Sequence, residues 1–310
     1  MSYLPSLRQL GYFMALAKEL NFTRAAEACF LGQSTLSAGL KELEEGLGVR
    51  LVERDRQSVS ITPAGLEVLE RAKVILAASQ DLVEYAGASG KPMTATIRLG
   101  VIPTIAPFLL PSVLPEIRKR FPELKVTLRE DLTANLLSRL AEHKLDFALI
   151  ALPYDVSGLL VEELFDDHFW LVAKEGDPAL KGKEVTLPAK MAERLLLLEE
   201  GHCLREHSLQ ACKRADVRKA EGLEATSLLT LLQMVESGLG IALLPGMAVN
   251  SSLLNNSELV AKELATPAPK RVIALVARSS TAHLKEFSAL SACIREQFSL
   301  PPKSGGIRAR

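Results

Sequence analysis

The chain has 310 residues, 48% of them hydrophobic and 24% charged, which is enough for two or three globular units with substantial cores. Its 37 basic and 37 acidic side chains cancel, so bulk charge gives no argument for a polyanionic partner, and a nucleic-acid interface has to be argued from local features. No basic-then-apolar leader opens the sequence and no run of about 18 apolar residues occurs, so the cytoplasm is the expected compartment and no membrane partner is expected. Four cysteines, Cys29, Cys203, Cys212 and Cys293, do not make a disulfide framework in that compartment. Their chemistry, if any, is redox, catalytic or metal-binding.

Residues 6 to 20 place Leu7, Leu10, Phe13, Met14, Leu16 and Ala17 at helical spacing, which predicts a first helix burying one stripe. Asn21 is an N-cap type before a short helix, Thr23–Cys29; the Phe30-Leu31-Gly32 break and a second helix from Gln33 to Glu45 complete a helix, tight turn, helix pattern. Leu36, Leu40 and Leu43 point to a core, and Ser34, Thr35, Ser37 and Lys41 remain for the outer face. Arg50–Arg54 and Val59–Thr62 read as a two-stranded wing whose tip reaches a phosphate backbone through Arg54 and Arg56. Thr62-Pro63 starts a long helix that runs to about Tyr85. Leu66, Leu69, Val74, Leu76, Leu82 and Val83 make it too apolar for a solitary solvated helix, so it is expected to pair with its counterpart in a second subunit.

A linker, Ala86–Pro92, follows, and beyond it strands and helices alternate through Ala95–Ile102, a helix from about Pro107, Lys125–Leu128, a helix after Thr133, and Asp146–Ala151. This is α/β with a parallel sheet. The pattern resumes after His168 and ends with Arg271–Ala277 and a terminal helix, which predicts two α/β lobes with the chain crossing between them near Asp166 and Pro269. The expected domains are a winged helix-turn-helix at 1–66, a linker and dimerisation helix at 67–92, and a regulatory domain at 93–302. The first lobe takes about 93–166 and 270–302, the second about 167–269, and 303–310 is a disordered tail.

In the run from Gly201 to Cys212, no Pro or Gly separates the two cysteines. A helix would hold their sulfurs about 13 Å apart along its axis, whereas a disulfide tolerates a Cα separation of only about 7 Å. Bonding them would require the helix to unravel, which is how a redox sensor could work. Cys29 and Cys293 read as structural. His143, His168 and His283 read as satisfied or solvated side chains rather than as ligands.

Phe22–Ala28, Gln33-Ser34-Thr35-Leu36-Ser37, Leu43–Val49, Leu51–Arg54 and Leu66 together resemble the LysR-type transcriptional regulators, and the resemblance covers nearly the full chain. It implies an N-terminal all-α winged helix-turn-helix with a long linker helix, and a C-terminal two-lobed α/β regulatory domain like a periplasmic binding protein. It also implies that Gln33, Ser34, Thr35, Ser37, Lys41, Arg54 and Arg56 face double-stranded promoter DNA. Two positions depart from the family pattern: Gly32 stands where a Ser is usual, and Ser34 where a Pro is usual.

Within that family, Gly201-His202-Cys203-Leu204-Arg205 with Cys212 nine residues later resembles the peroxide-sensing OxyR group. Ile102-Pro103-Thr104 and Glu130-Asp131-Leu132-Thr133 match the stretches that carry the group's peroxide-site threonines, so Thr104 and Thr133 would orient a peroxide beside Cys203. Thiolate, not thiol, attacks peroxide. A helix N-terminus after Gly201, with His202 and Arg205 within reach, would favour it. Peroxidatic Cys203 would pass through the sulfenic acid to a disulfide with resolving Cys212, and the altered lobe would change subunit packing and control antioxidant genes as an activator. A dimer is expected from the long helix, a homotetramer and an RNA polymerase contact from the resemblance alone. Two other readings stay open: a regulator answering a metabolite in the cleft between lobes, and a metal site using His202, Cys203, His207 and Cys212. No enzyme is expected, since neither an oxyanion hole nor an orienting third group is evident, and no nucleotide loop implies a cofactor.

Overall fold

The computed structural model describes residues 3–54, 59–87, 93–182, 185, 193–211 and 224–299. They form two compact units, taken in turn. No helix among them is long and apolar enough to cross a membrane.

The first unit opens with α1 (Leu7–Glu19), fixed at its start by a reciprocal cap in which Ser6 Oγ accepts from Gln9 N and Ser6 N donates to Gln9 Oε1. Leu10, Phe13 and Leu16 are buried, whereas Leu7 and Met14, expected in the same stripe, are exposed. At 100° per residue they lie roughly 100–120° round the helix from Phe13, off the buried face. Asn21 caps α2 (Phe22–Ala28), as its residue type suggests, through Arg24 N to Asn21 Oδ1 at 3.0 Å.

The turn after α2 is not made at Gly32. Leu31 N donates to Ala26 O at 2.9 Å and Phe30 N to Glu27 O at 3.0 Å, the paired bonds of a Schellman ending, and the left-handed residue it requires is Phe30, at φ 57°. Gly32 instead sits in extended backbone as the N-cap of α3 (Gln33–Leu47), where no side chain caps the helix. Leu36, Leu40 and Leu43 on α3 close a core with α1, Ala25 and Ala26.

Strands β1 (Val52–Arg54) and β2 (Val59–Ile61) pair antiparallel as the wing, and Glu44 holds its base by accepting from Leu51 N at 2.7 Å and Val52 N at 3.1 Å. Thr62 caps α4 (Pro63–Gly87) by accepting from Gly65 N at 2.9 Å. Gly65 passes so close to the wing that a Cβ would stand 2.2 Å from Leu51 O, leaving room for no other residue. On α4, Leu69 and Leu76 pack on the core, while Leu66, Val74, Ile75, Leu82 and Val83 are exposed.

The second unit is built on one continuous seven-stranded sheet. Strand β3 (Thr96–Val101) leads into α5 (Ala106–Arg120), β4 (Lys125–Glu130) into α6 (Thr133–Ala141), and β5 (Phe147–Leu152) into β6 (Leu159–Lys174). Strands β3, β4 and β5 are parallel, but the sheet as a whole is mixed, which corrects the all-parallel expectation. The cause lies in the connectivity. All three parallel strands end toward the crossover between lobes, and β11 (Lys270–Arg278) re-enters from that end, so it must run against β5, Val272 pairing Leu152, and against β6.

Between β6 and β11 come β7 (Leu197–Leu198), α7 (Cys203–Ala211), β8 (Glu224–Ala225), α8 (Leu228–Glu236), β9 (Ala242–Pro245), α9 (Gly246–Val249) and β10 (Leu259–Glu263); α10 (Leu284–Ser299) closes the chain. The first half of β6 pairs with β11, and its second half with β9 and β10. Two cores result, one around Phe147, Leu149, Ile273, Leu275 and Phe287, the other around Leu171, Val172, Leu231, Val235 and Leu243. One unbroken strand of 16 residues therefore serves both lobes.

Candidate functional site

In an open α/β sheet, ligands meet the carboxyl ends of the parallel strands. Here those ends belong to β3 and β4, whose last residues, Val101 and Glu130, are register partners. The segments leaving them carry Thr104 and Thr133, buried at 2% and 1% exposure. Opposite stands the start of α7, with Cys203 as its first residue, 7% exposed. Thr133 Oγ1 lies 3.6 Å from Cys203 Sγ and donates to it. Cys203 packs with the first core although Leu204 and Leu209 of the same helix belong to the second. Its side chain is thus one of the points at which the two cores meet.

Gly201 permits this approach. It stands at φ 94°, and a Cβ there would meet Leu132 Cδ1 at 3.0 Å. Ile102, Pro103, Thr104, Leu132, Thr133, Gly201, His202 and Cys203 wall a narrow crevice at the thiol, with no room for a metabolite-sized molecule.

A residue that sequence reasoning missed orders the crevice. Arg271, the second residue of β11, is fully buried and donates through Nη1 to Thr104 Oγ1 at 2.8 Å and through Nη2 to Thr104 O at 3.0 Å. Its Nε donates to Asp167 Oδ2 at 3.1 Å, and Asp167 Oδ1 accepts from Met247 N at 3.0 Å, so the buried carboxylate is satisfied on both oxygens. With Thr104 Oγ1 already accepting from Arg271, its hydroxyl proton is left to point elsewhere. The signal was present as a strand periodicity: Arg271 falls on the same face as the buried Ile273.

Two expected helpers of the thiol take other parts. Arg205 is buried with Cys203 but turns to Glu224 Oε1 at 2.6 Å and Leu198 O at 2.9 Å, and does not wall the crevice. His202 does wall it, but burial lowers its pKa against the opposing influence of Glu199 and the Thr226 backbone, so it serves as a neutral ring rather than a cation. Cys203 itself stands in the first turn of α7, where backbone N–H groups have no partner within the helix. Cys212 lies outside the described residues.

Helix geometry still constrains it. Cys203 and Ala211, eight residues apart in α7, have Cα atoms about 12 Å apart, and the next Cα can approach by at most about 3.8 Å. The two cysteine Cα atoms therefore cannot come within about 8 Å while α7 is intact, beyond the reach of a disulfide.

On the first unit, Gln33, Ser34, Thr35 and Lys41 are exposed on α3 and Ser37 is half-buried. Lys41 also lies 3.6 Å from Glu45 one turn on. Arg54 ends β1, and Arg56 lies outside the described residues.

Residues 7–66 match the profile of the bacterial regulatory helix-turn-helix proteins of the lysR family, and residues 90–299 that of the LysR substrate binding domain. The chain is 43% identical to the HTH-type transcriptional regulator EstR of Acinetobacter baylyi over 94% of its length and 96% of that protein's. It is 42% identical to a probable hydrogen peroxide-inducible genes activator of Streptomyces viridosporus, over 94% of each. Among solved structures, full-length OxyR of Pseudomonas aeruginosa in a cysteine-to-aspartate variant superposes with a TM-score of 0.73 at 33% identity, covering 94% of this chain and 95% of that one.

Proposed function

Because the chain belongs to the LysR family of bacterial regulatory helix-turn-helix proteins, we propose that it is a DNA-binding transcriptional regulator that senses hydrogen peroxide through Cys203. The observation that carries this reading is the Thr133 hydroxyl on Cys203 Sγ, at the mouth of a helix and beside a second threonine locked by a buried arginine. A structural cysteine needs no such surroundings.

The thiolate of Cys203 attacks one peroxide oxygen, the O–O bond breaks, and the departing hydroxide takes up a proton from solvent and leaves as water, giving Cys203–SOH. The thiol of Cys212 then displaces the hydroxyl as a second water, forming the S–S bond. Thr104 and Thr133 hold the peroxide in line with the sulfur. Since the bond cannot close on an intact α7, oxidation remodels this helix and with it the surface joining the lobes. The exposed apolar stripe of α4 joins two subunits, which set the spacing of two α3 helices on promoter DNA. The working form is a dimer or a pair of dimers in the cytoplasm, contacting RNA polymerase when oxidised.

A regulator answering a metabolite is the second reading, favoured by a cavity of about 690 Å³ in the second unit, lined among others by Phe108, Asp167, Trp170 and Met247. The crevice at Cys203 is too narrow for a metabolite, so such a ligand would sit in that larger cavity, apart from the thiol. A peptide map before and after one equivalent of hydrogen peroxide decides between them. Rapid formation of a Cys203–Cys212 bond with Cys29 and Cys293 free is the expected result; slow, indiscriminate oxidation would leave the metabolite reading.

A further inference from the structure

The residue one turn beyond Cys203 on the same face of α7 is a second buried group, His207. It is 4% exposed, and among the described residues neither Nδ1 nor Nε2 has a hydrogen-bond partner. Buried polar side chains are nearly always paired, so an imidazole with two idle nitrogens beside a reactive thiol calls for an account. Its surroundings are specific. The Phe169 ring of β6 lies 6.3 Å away centre to centre, and the Arg271 guanidinium of β11 bears on it electrostatically, with Asp167 of β6 bound to that guanidinium. The Pro153 carbonyl, from the segment after β5, opposes these effects without reaching hydrogen-bond geometry. On its own helix, Glu206 is exposed and Arg205 is turned to Glu224.

This site tolerates the neutral ring and resists the charged one. Burial, with the Arg271 charge added to it, pushes the His207 pKa down to about 4. The helix that imposes this burial is the one that must come apart for the cysteines to meet. In the ten-residue loop that a Cys203–Cys212 bond would close, His207 sits near the midpoint, farthest from the bond, where the chain has to leave its helical path.

We propose that His207 tunes the redox set-point of the Cys203–Cys212 pair, remaining neutral and dry while the dithiol keeps α7 folded and taking up a proton from solvent when the disulfide unravels it. The inference rests on the peroxide-sensing reading and adds proton linkage to it: acid favours the oxidised, α7-opened form. The direction follows from proton counting. The opened state, with His207 near the ordinary histidine value of about 6.5, binds more protons than the closed state at every pH between the two values, so lowering pH shifts the equilibrium toward it. Between pH 7 and pH 5.5 the two values give a shift of about eightfold, or about 27 mV at 29.6 mV per decade.

The test equilibrates the full-length protein with reduced and oxidised glutathione at pH 5.5 to 7.5 and counts the disulfide by mass spectrometry. The protein's two thiols are lost, one S–S bond forms in it while one breaks in glutathione, and two glutathione thiols are released. The thiols titrate alike in the parent and in His207→Gln, so the comparison of the two proteins isolates the imidazole proton. Expected is an oxidised-to-reduced ratio that, from pH 7 to 5.5, rises about eightfold more in the parent than in His207→Gln. If His207→Gln does not fold, the parent alone suffices: NMR titration of His207 should give a value near 4 in the dithiol form and near 6.5 in the disulfide form. A ratio that follows pH alike in the parent and in His207→Gln, or equal His207 titrations in both forms, overturns the proposal alone. Absence of any Cys203–Cys212 disulfide overturns it together with the reading beneath it.

Discussion

Arg271 grips Thr104 twice, at the hydroxyl from 2.8 Å and at the backbone carbonyl from 3.0 Å, and so fixes both where this threonine stands and which of its hydroxyl functions stays available to the crevice. The same guanidinium neutralises the buried Asp167. Orientation of the site and stability of the lobe crossover thus depend on one side chain.

Arg271→Ala should therefore do more than slow the thiol. It leaves Asp167 as an uncompensated buried charge, a loss of about 3–5 kcal/mol, which urea unfolding of the reduced protein would register. Arg271→Lys keeps a charge but not the planar fork. It should lose less stability while still releasing Thr104, and stopped-flow oxidation should show the drop in rate. Equal stability of Arg271→Ala and parent would refute the account of this pair.

Thr133→Val replaces the Cys203 donor by a methyl of the same shape. One neutral hydrogen bond is worth about 0.5–1.5 kcal/mol, so the rate of Cys203 oxidation should fall by roughly 2- to 10-fold. Thermal unfolding should change little by comparison. A rate at or above the parent's would remove Thr133 from the mechanism.

Phe30 occupies a left-handed position that suits glycine, and it is 95% exposed, so its ring returns little packing for the backbone strain. Phe30→Gly should stabilise the first unit by about 1 kcal/mol, read as a raised urea midpoint. Gly32→Ser supplies the missing cap of α3 and should add a few tenths of a kcal/mol. If Phe30→Gly also weakens promoter binding, the ring has a contact on DNA that outweighs its strain.

Leu82 and Val83 are 67% and 63% exposed on adjacent positions of α4. Leu82→Glu with Val83→Glu should convert the protein to monomer in sedimentation velocity at micromolar concentration, with a parallel loss of affinity for a two-half-site operator. A parent that is itself monomeric would sink the expected role of α4.

Legibility in the sequence followed the range of the interactions. Local chemistry could be read directly: Asn21 and Thr62 cap the helices that follow them, and Leu36, Leu40 and Leu43 share one buried face because their spacing is the helix's own. The opposite direction of β11 could not, because it is decided by where the chain returns after a whole lobe. Nor could the Arg271–Asp167 pair, 104 residues apart, or the retreat of Arg205 toward Glu224. The Phe30-Leu31-Gly32 break lies where it was expected, but which of its residues takes the left-handed conformation is set by where α2 ends, which puts Phe30 there and not the glycine.

Strand β6 passes through both lobes without interruption, with β11 against one half and β9 and β10 against the other. A clamshell closes by flexing thin connectors, and a chain that keeps its two halves on a shared, laterally bonded ribbon has little of that freedom. What the thiol does would then be expressed sideways, by reshaping the skin of the molecule around Cys203 more than by bending the shared strand. Regulators on this plan would pass their message to a neighbouring subunit as a changed surface rather than as a changed angle.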